Sequence, residues 1–441
     1  MVSTTHGKAA VPLLRALSLS LVLQCVGLGL LTLAQLFIAR LLGAAGFGVF
    51  SYAAACASAA ITFGKFGTDT LMYRRGGQYF ANQEWRRFLG LFHRSCVLLL
   101  RASLAACLGL GVFAWLIYRH KGDATLGAAI IVAALGVPIV ASSSLRQAAL
   151  ITIGETAKGL LPENLVRTTL LIGGALALGA AGINAPLPAV ALNVLTYLAA
   201  LLLGQYWLDR SAIGRVQTGR DSSEQSQWDS AARGLLLFLG AYQIVAQFDL
   251  LLLGILSDKT SIGIYASARQ IASLGMLALF TFQIVASARI ASAYSAGDRR
   301  SFSRIVDAVA LSGAAFTFAY ALFILIAGSW VLRLFGAEFV AGRTVLLWLI
   351  GAQVVNAIVG PAGTVVAMLG LHRAATFVYL FTAAFGAALL LVLVPALGID
   401  GAAIAVVVTT ALWGIALNVL LYRRVGTTVW IGRIRRGESS G

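Results

Sequence analysis

The sequence predicts an all-α polytopic membrane protein of about 12 transmembrane helices arranged as two six-helix bundles. Three observations predict it. Hydrophobic residues make up 59% of the 441 residues and charged residues 11%, with a mean hydropathy of +0.89. Soluble domains average about 45–50% apolar and about 25% charged. Apolar runs of spanning length recur along the whole chain, and one long polar stretch, 209–230, divides them. This composition excludes an ordinary soluble enzyme, a disordered chain and a secreted disulfide scaffold.

A helix crosses the hydrocarbon with about 20 apolar residues, in a range of roughly 17–25. The segments that qualify are 17–39, 47–66, 92–117, 126–146, 164–182, 188–208, 232–256, 262–288, 306–328, 344–369, 374–396 and 399–422. Lys8 and Arg15 precede the first. Its apolar run is too long for a signal peptide and no convincing cleavage site follows, so it reads as an uncleaved helix. The stretch DRSAIGRVQTGRDSSEQSQWDS lacks apolar periodicity and reads as a flexible linker. The expected organisation is an N-terminal lobe (1–208), a cytoplasmic linker (209–230), a C-terminal lobe (231–422) and a basic cytoplasmic tail (423–441).

Basic residues outnumber acidic ones, 33 to 16, for a net charge of +17. In a soluble chain that would suggest nucleic acid. Here the loops are too short for a folded reader domain and the arginines sit at the edges of apolar runs, so no nucleic-acid partner is expected. With the N-terminus inside, the outer segments hold only Arg40, Arg119, Lys121, Lys259, Arg333 and Arg343, while the remaining segment charges, Arg74, Arg75, Arg86, Arg87, Arg210 and Arg423 among them, are cytoplasmic. The positive-inside rule then places both termini in the cytoplasm. Trp115, Trp207, Trp330 and Trp430 fall near span ends, the level that indole rings favour. Cys25, Cys56, Cys96 and Cys107 are unclustered, so no disulfide, metal site or cofactor is expected.

The halves echo each other. Residues 36–53 read LFIARLLGAAGFGVFSYA and 251–268 read LLLGILSDKTSIGIYASA. Placing Gly48 over Gly263 also puts Phe47 over Ile262, Phe50 over Tyr265 and Ala53 over Ala268. A parallel repeat of this kind implies two bundles related by an axis along the membrane normal.

With these features in view, the chain resembles the polysaccharide or O-antigen lipid-linked oligosaccharide flippases of the multidrug/oligosaccharidyl-lipid/polysaccharide exporter superfamily. The stretches that carry the resemblance are 39–53, FGTDTLMYRR (66–75), LPENLVRTTLL (161–171), 248–274, RLFGAEFVAGRTVLLWL (333–349), NAIVGPAGTVVAMLG (356–370) and LGIDGAAIA (397–405). The resemblance implies a central V-shaped cavity between the lobes and transport by alternating access. The substrate would be a polyprenyl-diphosphate-linked oligosaccharide moved from the cytoplasmic to the outer leaflet of a bacterial inner membrane, for polysaccharide, lipopolysaccharide or O-antigen synthesis. Its surroundings would be membrane lipids and a polysaccharide polymerase or glycosyltransferases.

An ionisable residue inside a span costs about 2.5–3.5 kcal/mol on insertion scales, so each one is a candidate functional residue. Asp249 lies roughly 10 Å below the outer end of span seven, and Arg269 lies at similar depth in span eight. A short turn joins the two helices, so a salt bridge is expected. Such a pair either senses substrate or a coupling ion, or merely orients the hairpin. Arg87, Arg94 and Arg101 recur on one face of span three. They would form a ladder suited to diphosphate oxygens, or else snorkel to the interface, which explains Arg101 least well. Gln243 and Gln247, and Gln353 and Asn356, are polar pairs that contact sugar hydroxyls or bond neighbouring helices. Gly360–Pro361 should kink span ten, for gating or for packing. The candidate substrate contacts are therefore Arg94, Arg101, Arg269, Gln243 and Gln247, with Asp249 and Pro361 as coupling or gating residues.

Two other classes compete. A drug/cation antiporter of the same superfamily should carry cavity carboxylates, yet span one has no Asp or Glu. A membrane-bound glycan polymerase or ligase needs a catalytic site, commonly on a large outer loop, and the outer segments here are short, with no nucleophile–base motif. The reading is a transporter, not an enzyme.

Overall fold

A computed structural model describes residues 6–211, 223–276, 298–425 and 428–430. Its regular structure is helical, with no strand among the described residues. Eight of the described helices are long and apolar enough to cross a membrane. Two of these are of double length: α1 (His6–Lys65) covers the first two expected spans and the last helix (His372–Val425) covers the final two. An unbroken helix of 54 residues would reach about 80 Å, against a hydrocarbon thickness of about 30 Å. Each is instead broken at a glycine, Gly43 at φ 66° and Gly398 at φ 61°. L side chains rarely adopt that backbone, so glycine suits both breaks. Large apolar side chains such as Leu108, Ile326, Phe377 and Val392 are exposed, as lipid contact requires.

The helices form two compact units, residues 1–42 with 49–240, and 43–48 with 241–441. In the first, span two leads through α2 (Thr68–Leu71), a π-helical turn (Met72–Gly76) and α3 (Gly77–Ala81) into α4 (Trp85–Lys121). Next come α5 (Ala124–Thr152), then span five as α6 (Thr156–Leu161), a second π-helical turn (Pro162–Val166) and α7 (Arg167–Ala180), and finally α8 (Pro186–Arg210). Helix α5 packs against both α4 and α8. It can do so because small residues such as Ala133, Gly136, Ala141 and Ala148 cover its buried positions and let backbones approach.

Helix α9 (Gln225–Leu256) begins inside the stretch expected to be linker, correcting that boundary. Trp228 is the cause. Its ring is buried in the core beside Met72, Phe88 and Leu145, edge-on to Tyr79, and its Nε1 donates to the Tyr79 hydroxyl at 3.1 Å. Residues 212–222 of the expected linker lie outside the described residues. The division between the units falls within α9, after Gly240.

The second unit contains α10 (Lys259–Ser273), α11 (Arg299–Phe335), α12 (Arg343–Val359), α13 (Ala362–Met368) and α14 (His372–Val425). Much of the expected eighth span, 277–288, lies outside the described residues. Helix α12 packs on α10, α11 and α14, so span ten occupies the centre of its unit as span four does in the first. The turn Gly43–Gly48 belongs to this unit. Phe47 meets the rings of Phe335 and Phe339, and the Ala44 N–H donates to Glu338 Oε1 at 2.6 Å. Gly360–Pro361 interrupts span ten, as expected, between α12 and α13. Asn418 Nδ2 donates to the Val359 carbonyl at 3.1 Å, satisfying one acceptor at the end of α12.

Candidate functional site

Asp249 and Arg167 are the two buried residues among the Asp, Glu, Lys and Arg of the described residues. The expected pairing of Asp249 is present: Arg269 Nε stands 3.1 Å from its Oδ2. The Tyr265 hydroxyl donates to the same oxygen at 2.7 Å. Arg269 also donates through Nη1 to Gln247 Oε1 at 3.0 Å and through Nη2 to the Ala246 carbonyl. Asp249, Arg269 and Gln247 thus form one network across the α9–α10 hairpin. Asp249 Oδ1 is buried and has no hydrogen-bond partner among the described residues. A short turn carries this geometry: Asp258 caps α10, accepting from the Thr260 and Ser261 N–H groups at 2.9 and 3.1 Å. Gln243 is half-buried one turn before Gln247, and Pro361 is buried at the interruption of span ten.

The arginines of span three do not form one continuous ladder. Arg94 is held by Asp229 through two parallel bonds, Nε to Oδ1 at 2.9 Å and Nη2 to Oδ2 at 2.5 Å. Arg87 stands 2.9 Å from Glu84 and 3.7 Å from Glu224. Glu224 also accepts from the Tyr79 hydroxyl; burial, and after it this bond, raises the tyrosine pKa. Arg101 is exposed, on a face it shares with exposed Leu104, Leu108 and Val112, the kind of apolar surface that meets lipid, so its place fits an anchor and not the cavity contact expected from the sequence. Sequence reasoning misses Asp229 because it lies in the stretch read as linker.

It also misses Arg167, which is 7% exposed. The guanidinium lies over the ring of Tyr197, 4.4 Å from its centroid, with Nε 3.3 Å from the Glu163 carbonyl and Nη1 3.5 Å from Asn193 Oδ1. An expected start at 164 puts Arg167 at the edge of span five, where snorkelling suffices. The helix in fact begins at Thr156 and ends at Ala180, which puts Arg167 near its midpoint. Testing this arginine for intramembrane charge would have flagged it. Among the described residues, no group of three or more His, Cys, Asp or Glu side chains is placed to hold a metal ion.

Residues 13–289, more than half of the chain, match the family described as "Polysaccharide biosynthesis protein". The chain belongs to that family. No curated protein matches it. Among solved structures it superimposes on an inward-facing multidrug resistance MATE family transporter of the MOP superfamily, with TM-score 0.66, 15% identity and 96% of each chain covered. It also matches the lipid II flippase MurJ in an inward closed conformation, with TM-score 0.68, 14% identity, and 93% of this chain and 87% of that one covered. A third is a MOP superfamily transporter from Pyrococcus furiosus, described as having a binding pocket of reverse polarity that suggests a different function. It gives TM-score 0.68 and 16% identity, covering 93% of this chain and 96% of that one. The chain therefore shares the fold of these transporters.

Proposed function

We propose that this protein is a flippase that carries a polyprenyl-diphosphate-linked oligosaccharide from the cytoplasmic to the outer leaflet of a bacterial inner membrane by alternating access. Both termini and the 209–230 linker are cytoplasmic in this reading. The observation that carries it is the excess of cation within the spans. Asp249 is already paired with Arg269, and the buried Arg167 has no carboxylate at ion-pair distance among the described residues. A carrier of cationic drugs would need the opposite surplus. A diphosphate cannot enter hydrocarbon unpaired, and guanidinium groups supply the charge-assisted bonds it needs.

The family match and the likeness to MurJ support this reading, and the reverse-polarity pocket described for the archaeal transporter is consistent with it. In the proposal the lipid tail stays in the bilayer while the headgroup crosses. Gln243, Gln247 and Arg269 contact the headgroup. Asp249 is the coupling group, since its Oδ1 has an unused acceptor, and Pro361 provides a flexible point in span ten. A polysaccharide polymerase or glycosyltransferases consume or supply the substrate.

The test is flipping of a fluorescent polyprenyl-diphosphate oligosaccharide by the protein in proteoliposomes. Wild type should flip it, Arg269→Ala should lose at least tenfold in rate at equal protein abundance, and Arg269→Lys should recover part. Proton-driven export of cationic drugs without glycan flipping would establish the antiporter reading instead.

A further inference from the structure

Arg167 is a buried charge with no carboxylate at ion-pair distance among the described residues, near the middle of the helical stretch from Thr156 to Ala180. At 1.5 Å per residue it lies about 17 Å from the start of α6 and about 20 Å from the end of α7. A snorkelling arginine keeps its charged head in water, whereas Arg167 is buried against Tyr197, so snorkelling does not account for it. Its neighbours are neutral: a tyrosine ring, an asparagine amide and a backbone carbonyl. The nearest carboxylate in sequence, Glu163, sits one turn earlier and is not at ion-pair distance, and its own Oε1 is buried without a partner. A buried, unpaired guanidinium is strongly unfavourable unless something pays it back on binding.

We propose that Arg167, with Asn193 and Tyr197, forms an anion subsite for the phosphate groups of a prenyl diphosphate in the first unit. This rests on the flippase reading and names residues that take the headgroup. The geometry suits the chemistry. The Tyr197 ring lies beneath the guanidinium carbon, 4.4 Å from centroid to carbon, and a cation–π contact of this kind leaves the guanidinium N–H groups for ligand oxygens. The two existing bonds, at 3.3 and 3.5 Å, are long beside the usual 2.7–3.2 Å, and Nη2 has no partner among the described residues. Phosphate oxygens would replace them with charge-assisted bonds of about 2.7–2.9 Å. Asn193 and Tyr197 stand one turn apart on α8, so both face the same stretch of α7. The π-helical turn Pro162–Val166 comes directly before Arg167. Its wider turn shifts the register of everything after it, and so sets the face on which Arg167 emerges.

The experiment measures binding of farnesyl diphosphate to the purified full-length protein in nanodiscs, with farnesol and inorganic pyrophosphate as further arms. Wild type should bind farnesyl diphosphate, pyrophosphate should compete for the site, and farnesol should not. Arg167→Gln should weaken farnesyl diphosphate at least tenfold, Arg167→Lys by less, and Tyr197→Leu about threefold or more. Wild type that binds no farnesyl diphosphate sinks the flippase reading itself. Binding that is intact in Arg167→Gln sinks this assignment alone, and so does competition by farnesol in place of pyrophosphate. Should Arg167→Gln fail to fold, Arg167→Lys and Asn193→Ala carry the test, and unchanged affinity in both overturns the proposal. If Arg167 only balances Glu163, the double variant Glu163→Gln with Arg167→Gln will bind like wild type, which also overturns it.

Discussion

Gly48 and Gly263 touch backbone to backbone. A Cβ on Gly48 would lie 1.9 Å from the Lys259 carbonyl oxygen, and one on Gly263 would lie 1.9 Å from the Ala44 carbonyl oxygen. The contact is reciprocal: each glycine faces the residue four positions before the other. These are the same two glycines that the alignment of residues 36–53 with 251–268 superimposes. The repeat read in the sequence therefore meets itself in space, and at a point where neither copy has room for a methyl group.

Gly48→Ala and Gly263→Ala should each disrupt this crossing, because the obstructing atoms are backbone and cannot swing aside. Overpacking costs about 1–3 kcal/mol, and valine should be worse than alanine. Thermal unfolding of the purified variants should show the loss, with flipping reduced at least tenfold. Wild-type behaviour in both alanine variants would show the close approach to be dispensable.

Asp249→Asn alone should harm the protein more than the double change Asp249→Asn with Arg269→Gln. The single change leaves Arg269 without its counter-charge, and breaking a buried pair costs about 3–5 kcal/mol. Tyr265→Phe should be milder, since it removes only one neutral donor. Equal inactivity of both singles and the double at normal abundance would mean that the residues act separately on substrate or ion.

The Arg94–Asp229 pair offers a charge-swap test. Both side chains are about one-quarter exposed, so Asp229→Asn should cost roughly 1 kcal/mol or less in stability. Arg94→Asp combined with Asp229→Arg should restore the unfolding temperature. If Arg94 also contacts substrate, as its place on span three suggests, flipping will stay low in the stable swapped variant. Full recovery of flipping would make the pair purely structural.

The Asp258 cap gives a pH dependence with a definite sign. The Ser261 side chain, with the Ser261 and Thr260 N–H groups, favours the ionised carboxylate and holds its pKa below the usual range. An unfolded aspartate titrates near about 3.9. The cap's contribution should therefore be complete above about pH 4 and be lost as pH falls through the lower folded value. Asp258→Ala should cost about 0.5–2 kcal/mol at neutral pH, and thermal unfolding from pH 7 to 3 should show a smaller acid-induced loss in that variant.

The sequence by itself determined the helical membrane class, the order of the spans, the break in span ten and the repeat glycines. It also determined the Asp249–Arg269 bridge, because a short turn leaves two residues of matched depth little choice of partner. What only the tertiary structure decided are the long-range partners: Asp229 for Arg94, Trp228 against Tyr79, and the Asn193–Tyr197 platform under Arg167. The physical reason is that lipid and protein interior are both apolar, so a membrane helix is hydrophobic on every side and its pattern does not tell one face from another. Which face of α4 meets Asp229, and which turn of α8 meets Arg167, depends on how the helices are rotated and packed. In span five it depends also on a π-helical turn that changes the register.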